Sequence, residues 1–316
     1  MSGVADKMTD FRAGITAIDA ELMRPRHSAV HLVVDAGRAA FVDTGTAHSV
    51  PTLLAALEAK GLSPAAVDWV LTTHVHLDHA SGAGALMRQL PNARCVIHPR
   101  GVRHLVEPTK LIEGSKAVFG RERFHALFGD IVPVPESRVL VAEEGTRVRL
   151  GNRELELIHT PGHALHHYCI VDAANALIFS GDTFGLSYRD FDVGGRAFIF
   201  PTTTPVHFDP DALCRSIDRL MSYAPRSFFL THYAEVTELE RLSRELKERV
   251  LAYADLGTRY RDAPDRAGKL RHGMFAMMGA WLDAHGYPRD DAKRHWLLDD
   301  DVDLNCQGIE VWLDRK

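Results

Sequence analysis

Two runs near the start of the chain are rich in apolar, β-forming residues. In AVHLVVDAG (29–37) and RAAFVDTG (38–45) the β-branched and aromatic residues flank a Gly-containing turn, which predicts a β-hairpin. SVPTLLAALEAKGL then shifts to a helical period, with Ser49 as cap, Pro51 in the first turn and Gly61 as stop. The apolar run DWVLTT (68–73) predicts a strand, ASGAGALMRQL a helix, and RCVIH (94–98) another strand. TTHVHLDH therefore falls on a strand-to-helix loop. Alternation of this kind predicts an α/β protein whose strand-end loops carry the chemistry.

The pattern weakens over residues 100–135, where short helical stretches lead to an exit at Pro133 and Pro135. From 138 to 180 short strands return: RVLVAE, TRVRLGNRELELIHT around a Gly151-Asn152 turn, HYCIVDA and ALIFSGD, which together predict a second sheet. Residues 184–208 hold no sustained period and predict a long ordered loop. DPDALCRSIDRLMSY predicts a capped amphipathic helix, and PRSFFLTHY a strand ending at His232. Residues 236–286 predict helices broken at Gly257 and around Pro264, and DLNCQGIEVWLDRK predicts a terminal strand. The Met-rich stripe of MFAMMGAWL (274–282) suits helix packing.

With 316 residues and 46% hydrophobic composition, the chain has ample apolar material for a buried core. A formal net charge of -5 offers no broad cationic field, so nucleic acid and anionic membrane surfaces are not expected partners. The segment MSGVADKMTDFRAG has no signal-peptide core, and no run approaches the roughly 20 apolar residues of a membrane span, so a cytoplasmic location is expected. Cys95, Cys169, Cys214 and Cys306 lack C-x-x-C spacing, which argues against a disulfide framework or a thiolate zinc site.

Histidine placement changes the picture more than composition does. His74, His76, Asp78 and His79 crowd one short segment, and each neutral imidazole or ionised carboxylate offers a lone pair to a borderline divalent ion such as zinc. Positions 74 and 76 point the same way on extended backbone, while 78 and 79 turn toward a neighbouring point, a spacing that suits two adjacent metal sites. Further donors follow apolar strands: His163 in TPGH, Asp182 in SGD and His232 in LTH. A closed structural zinc site usually enlists thiolates, whereas nitrogen and oxygen donors shared by two ions leave room for water. His31, His98 and His125 stand alone and read as ordinary core or surface histidines.

The ordered series VDTG, THVHLDH, TPGH, SGD and LTH, spanning residues 29–233, resembles the metallo-β-lactamase fold superfamily of hydrolases. The resemblance implies a four-layer αββα sandwich over residues 1–235, with a helical C-terminal extension, 236–316, packed on it. It places His74, His76 and His163 on one metal and Asp78, His79 and His232 on the other, with Asp182 bridging both. Asp43 would orient a ligand histidine through a hydrogen bond. The cofactors implied are two divalent metal ions, zinc first, with iron or manganese as alternatives. Such a pair activates water for attack on a small ester, thioester or lactone, and Asp78 would carry the released proton to the leaving atom. His166, Tyr188, Phe200 and Tyr233 are the candidates for substrate contact.

Departures from relatives refine this expectation. Zinc β-lactamases of the best-known subclass have a cysteine ligand near the place of Asp182, and the oxygen-reducing diiron relatives have Glu in place of His76. The basic residues with which hydroxyacylglutathione hydrolases grip glutathione are not recognisable here. Two other readings remain: an iron-dependent oxidoreductase resembling persulfide dioxygenases, and a non-catalytic metal-binding sensor. The C-terminal helices are a lid, a homodimer surface or both.

Overall fold

The computed structural model describes residues 3–315, which divide into two compact units. The first unit runs to His159 and takes in His166–Gly181 and Phe228–Glu235; the second contains Thr160–Leu165, Asp182–Ser227 and the chain from Val236 onward.

In the first unit, β1 (Met8–Phe11), β2 (Ile15–Asp19), β3 (Ala29–Asp35) and β4 (Arg38–Val42) form an antiparallel meander. The expected hairpin is β3–β4, and its turn residues Ala36 and Gly37 both have positive φ, 47° and 75°, which matches the twist of a two-residue connection. Next come α1 (Val50–Ala59), β5 (Val67–Leu71), α2 (Leu77–Ala80), α3 (Ala83–Gln89) and β6 (Arg94–Ile97). The weakly patterned stretch that follows folds as three helices, α4 (Val102–Val106), α5 (Thr109–Phe119) and α6 (Arg121–Phe128), before β7 (Val139–Val141). The first seven strands make one sheet in chain order, parallel from β4 to β7. The second sheet has six strands in the order β13-β12-β11-β10-β9-β8. These are β8 (Thr146–Leu150), β9 (Arg153–His159), β10 (Tyr168–Asp172), β11 (Leu177–Gly181), β12 (Ser227–Leu230) and β13 (Ala234–Val236).

Two-residue periodicity decides which side chains fill which layer. On β3, Val33 joins Val42, Leu71, Leu155, Ile170, Phe179 and Phe229 in the core between the sheets. Its neighbour Leu32 faces the other way, with Phe41 and Val70, against Leu53 and Leu57 of α1 and Leu86 of α3. Ser49 does not cap α1 as its position suggests. Its hydroxyl donates to the Ala20 carbonyl at 2.6 Å, and Thr46 instead accepts from the His48 N–H one turn earlier.

The second unit holds α7 (Pro210–Ser222), capped by Asp209, and three long helices, α8 (Leu239–Tyr260), α9 (Arg266–His285) and α10 (Asp291–Asp314). Residues 184–208 form no long element, only a short turn at Arg189–Phe191 and a bridge between Leu186 and Phe200, in keeping with the expected loop. Two further expectations need correction. Helix α8 passes through Gly257 without a break, because the missing side chain makes room for Ile309, whose Cγ2 would lie 2.6 Å from an added Cβ. The segment DLNCQGIEVWLDRK is not a strand but the second half of α10, with Leu298, Val302, Cys306, Ile309 and Leu313 buried at helical spacing; Lys316 lies outside the described residues. Met274 and Met278 of the Met-rich stripe are buried on α9, as the packing reading expects. Among the described residues no helix is long and apolar enough to cross a membrane.

Candidate metal centre

Strand β4 lies parallel to β5, so the residues leaving their C-terminal ends are neighbours: Asp43 after β4 and Thr73-His74 after β5. The Asp43 carboxylate gathers four donors. Oδ1 accepts from the Thr73 N–H at 2.8 Å and from its hydroxyl at 2.9 Å, and Oδ2 accepts from the Thr231 hydroxyl at 2.9 Å and from His79 Nδ1 at 2.8 Å. A carboxylate so engaged has only acceptor capacity, so the His79 ring proton sits on Nδ1 and its Nε2 carries a lone pair. His232, after β12, is held in the same way: Nδ1 donates to the His27 carbonyl at 2.8 Å, which leaves Nε2 as an acceptor.

Both acceptor nitrogens face one carboxylate oxygen. Asp78 Oδ2 is 3.4 Å from His79 Nε2 and 3.2 Å from His232 Nε2, and the ligand atoms of all three residues lie within 4.8 Å of one another. Lone pairs opposed in this way repel unless a cation lies among them, and tetrahedral zinc with bonds of ~2.0–2.1 Å sets its donors about 3.3 Å apart. The donor set fits a divalent ion. His74 and His76 form a second nitrogen pair in this unit, Nε2 to Nδ1 at 2.9 Å, with His74 Nδ1 3.2 Å from the Thr73 hydroxyl.

The TPGHALHH segment contributes to both units. In the first, the His166 ring stacks at 6.2 Å from that of His74 and lies 5.5 Å from that of His76, and the His167 ring is 4.9 Å from His74. Gly181, at φ +47°, leaves His167 its place, since a Cβ there would stand 2.6 Å from His167 Nε2. Tyr233 is buried beside Ala17 and Ala29. In the second unit, His163 repeats the pattern of His79 and His232: Nδ1 donates to the Thr202 carbonyl at 3.2 Å, and Nε2 faces Asp182 Oδ2 at 3.5 Å. There Tyr188 and Phe200 are fully enclosed, 5.5 Å apart between rings, and the Tyr188 hydroxyl donates to Asp301 at 3.0 Å.

Three supporting groups escaped the sequence reading. Thr73 and Thr231 brace Asp43, and their signal was present in the Thr-His pairs that begin THVHLDH and end LTH. The third is the carbonyl of His27, which no side-chain pattern reveals.

The comparisons with known proteins bear on the family and the fold. The solved structure of a metallo-beta-lactamase family protein from Thermus thermophilus superposes with a TM-score of 0.65 at 21% identity, covering 96% of this chain and 93% of that one, and shows the shared fold. A metallo-beta-lactamase fold-containing protein from Sulfurisphaera tokodaii is 26% identical over 198 residues, 60% of this chain and 71% of its own length. Hydroxyacylglutathione hydrolase of Xanthomonas axonopodis pv. citri is 31% identical over 192 residues, 60% of this chain, which thus spans only 54% of that relative. The model of the metallo-beta-lactamase superfamily matches residues 23–232, which run from β3 through β12 and include the braced Asp43 and every histidine and aspartate expected to bind metal. With its mixed α/β fold of two sheets and a C-terminal helical region, this chain belongs to the metallo-beta-lactamase superfamily.

Proposed function

We propose that the protein is a cytoplasmic dinuclear metallo-hydrolase, zinc-dependent, acting on a small ester, thioester or lactone. The observation that carries the reading is the pair of Nε2 atoms, His79 and His232, turned by their Nδ1 partners onto one oxygen of Asp78. In this reading His74, His76 and His163 hold one ion, Asp78, His79 and His232 the other, and Asp182 serves both. When bound, the ions supply Lewis acidity, polarising a substrate carbonyl and lowering the pKa of water toward neutrality.

The chain's own groups do the rest. Asp43 fixes the His79 tautomer, so that no proton competes for Nε2. Asp78 takes the proton released on attack and passes it to the leaving atom. His166 and Tyr233 contact substrate, while Tyr188 and Phe200 shape the wall of the loop from within. The hydrolase named among the relatives, hydroxyacylglutathione hydrolase, supports the ester-like substrate class. The absence of disulfides among Cys95, Cys169, Cys214 and Cys306 suits a reducing compartment.

The test is a panel of thioesters, lactones, phosphodiesters and β-lactams offered to protein whose metal content has been measured. Turnover of thioesters or lactones with about two zinc ions per chain supports the reading. Oxygen consumption on thiol substrates with bound iron would replace it with the oxidoreductase reading, and no turnover of any substrate would leave a metal-binding sensor.

A further inference from the structure

Asn305 of α10 is a polar side chain buried to 1% exposure, a position where water cannot stand in for its partners. A buried amide persists only where its hydrogen bonds are met within the protein. Those of Asn305 reach one short loop of the same unit, residues 201–203. Its Oδ1 accepts from the Thr203 N–H at 2.6 Å and from the Thr203 hydroxyl at 3.0 Å. Its Nδ2 donates to the Pro201 carbonyl at 3.5 Å. The amide therefore brackets Thr202 from both sides, and Gly308, one turn further along α10, lets the helix lie against the Thr203 backbone.

Thr202 is the residue whose carbonyl accepts from His163 Nδ1 at 3.2 Å, while His163 Nε2 faces Asp182 Oδ2 at 3.5 Å. The Thr202 carbonyl and the Thr203 N–H belong to one peptide group, whose atoms lie in a plane and turn together. Asn305 holds one end of that plane, and the other end holds His163. An acceptor on the N–H also polarises the carbonyl and makes it a better acceptor. Because a carbonyl has no proton to give, the imidazole proton stays on Nδ1 and the lone pair on Nε2.

We propose that Asn305 is a positioning residue for the metal centre, fixing the ring orientation and tautomer of His163 through the peptide that joins Thr202 to Thr203. The proposal rests on the reading of His163 as a metal ligand. It gives α10 a part in building the site, a role distinct from that of a lid or a dimer surface.

Three variants test it. Asn305→Leu keeps a similar size and removes both hydrogen-bonding ends, and Asn305→Asp keeps an oxygen for the Thr203 N–H. Ile309→Ala weakens α10 elsewhere, where Ile309 meets Gly257 of α8. Zinc affinity is measured by competition with a chelating dye, and the His163 tautomer by nitrogen-proton correlation spectra of the metal-free protein, assigned with His163→Gln. In Asn305→Leu one ion is expected to bind about tenfold or more weakly, the other unchanged, and His163 to lose its single Nδ1–H tautomer. Asn305→Asp recovers most of both, and Ile309→Ala lowers the thermal midpoint while leaving both intact. Unaltered affinity in Asn305→Leu overturns the proposal, as does an equal weakening in Ile309→Ala, since loss of stability would then explain it. A parent protein whose metal-free His163 shows mixed tautomers overturns it whether or not any variant folds. Metal binding without hydrolysis of any substrate removes the hydrolytic reading and leaves these comparisons in force. If the parent binds no metal, His163 is not a ligand and the proposal falls with that reading.

Discussion

Asp43 Oδ2 receives the His79 Nδ1 proton at 2.8 Å from a backbone held at φ +61°. The left-handed conformation suits Asp or Asn, whose short polar side chains tolerate it. Asp43→Asn therefore keeps the loop but turns an acceptor-only group into one that also offers N–H, and the His79 tautomer is no longer fixed. The expected outcome is zinc affinity about 10–100-fold weaker, with little loss of fold. Competition with a chelating dye measures it, and an affinity within a factor of two of the parent would show that Asp43 does not orient His79 for metal.

Asp78 stands between two imidazole acceptors, 3.4 Å from His79 Nε2 and 3.2 Å from His232 Nε2, so its charge is what makes the spot attractive to a cation. Asp78→Asn removes that charge while preserving size. The metal content of the variant is expected to fall by about one ion per chain, with thioester or lactone hydrolysis reduced at least about a hundredfold. Elemental analysis at matched protein concentration gives the count. An unchanged count would remove Asp78 from the ligands.

Metal-free protein should lose stability in a defined acid window. Burial pushes His31 down to about 4, and burial with the charges of His159 and Arg100 brings His98 to about 4 as well. An unfolded histidine titrates near 6.5, so between these values the unfolded chain binds more protons than the folded one. The stability these neutral rings support is complete above about pH 6.5 and drains away as pH falls toward 4. In His98→Gln the amide oxygen still accepts the Arg100 N–H that His98 Nδ1 accepts at 3.0 Å, without titrating. Urea unfolding from pH 6.5 to 4.5 should show a slope shallower by about one proton for this variant. Parallel curves would mean that His98 titrates normally in the folded state.

The order of the motifs made the centre legible in the sequence because each donor follows an apolar strand, and strand ends in such sheets are where ligands gather. Its bracing was harder to see. Thr73 and Thr231 lie next to their histidines, but only the parallel pairing of β4 with β5 and the second sheet's β12 bring both hydroxyls to Asp43. Strands β1 and β2 are short, and their pattern does not stand out from neighbouring turn residues. The terminal segment misled for a local reason: Gly308 with Ile309 and Val311 resembles a turn entering a strand, and the helical period emerges only over all 24 residues of α10. Glycine had the same effect at Gly257, where it reads as a stop but serves a close contact.

That contact logic is strongest at Gly308. Thr203 runs against α10, its N–H donating to Asn305 Oδ1 at 2.6 Å and its hydroxyl to the Asn305 carbonyl at 2.9 Å. A Cβ on Gly308 would stand 1.5 Å from the Thr203 carbonyl oxygen, a backbone atom that no rotamer change can move. By helix propensity alone, Gly308→Ala should stabilise α10 by roughly 1 kcal/mol. The steric clash opposes this and should win, because overpacking against backbone costs about 1–3 kcal/mol or more. Gly308→Ala is therefore expected to lower the thermal midpoint by several degrees, whereas Gly279→Ala on α9, where a Cβ would meet only the Arg294 side chain at 3.9 Å, should leave it level or raise it. Differential scanning calorimetry of the two variants provides the comparison. A Gly308→Ala protein as stable as the parent would mean that the Thr203 loop does not hold this close seat on α10.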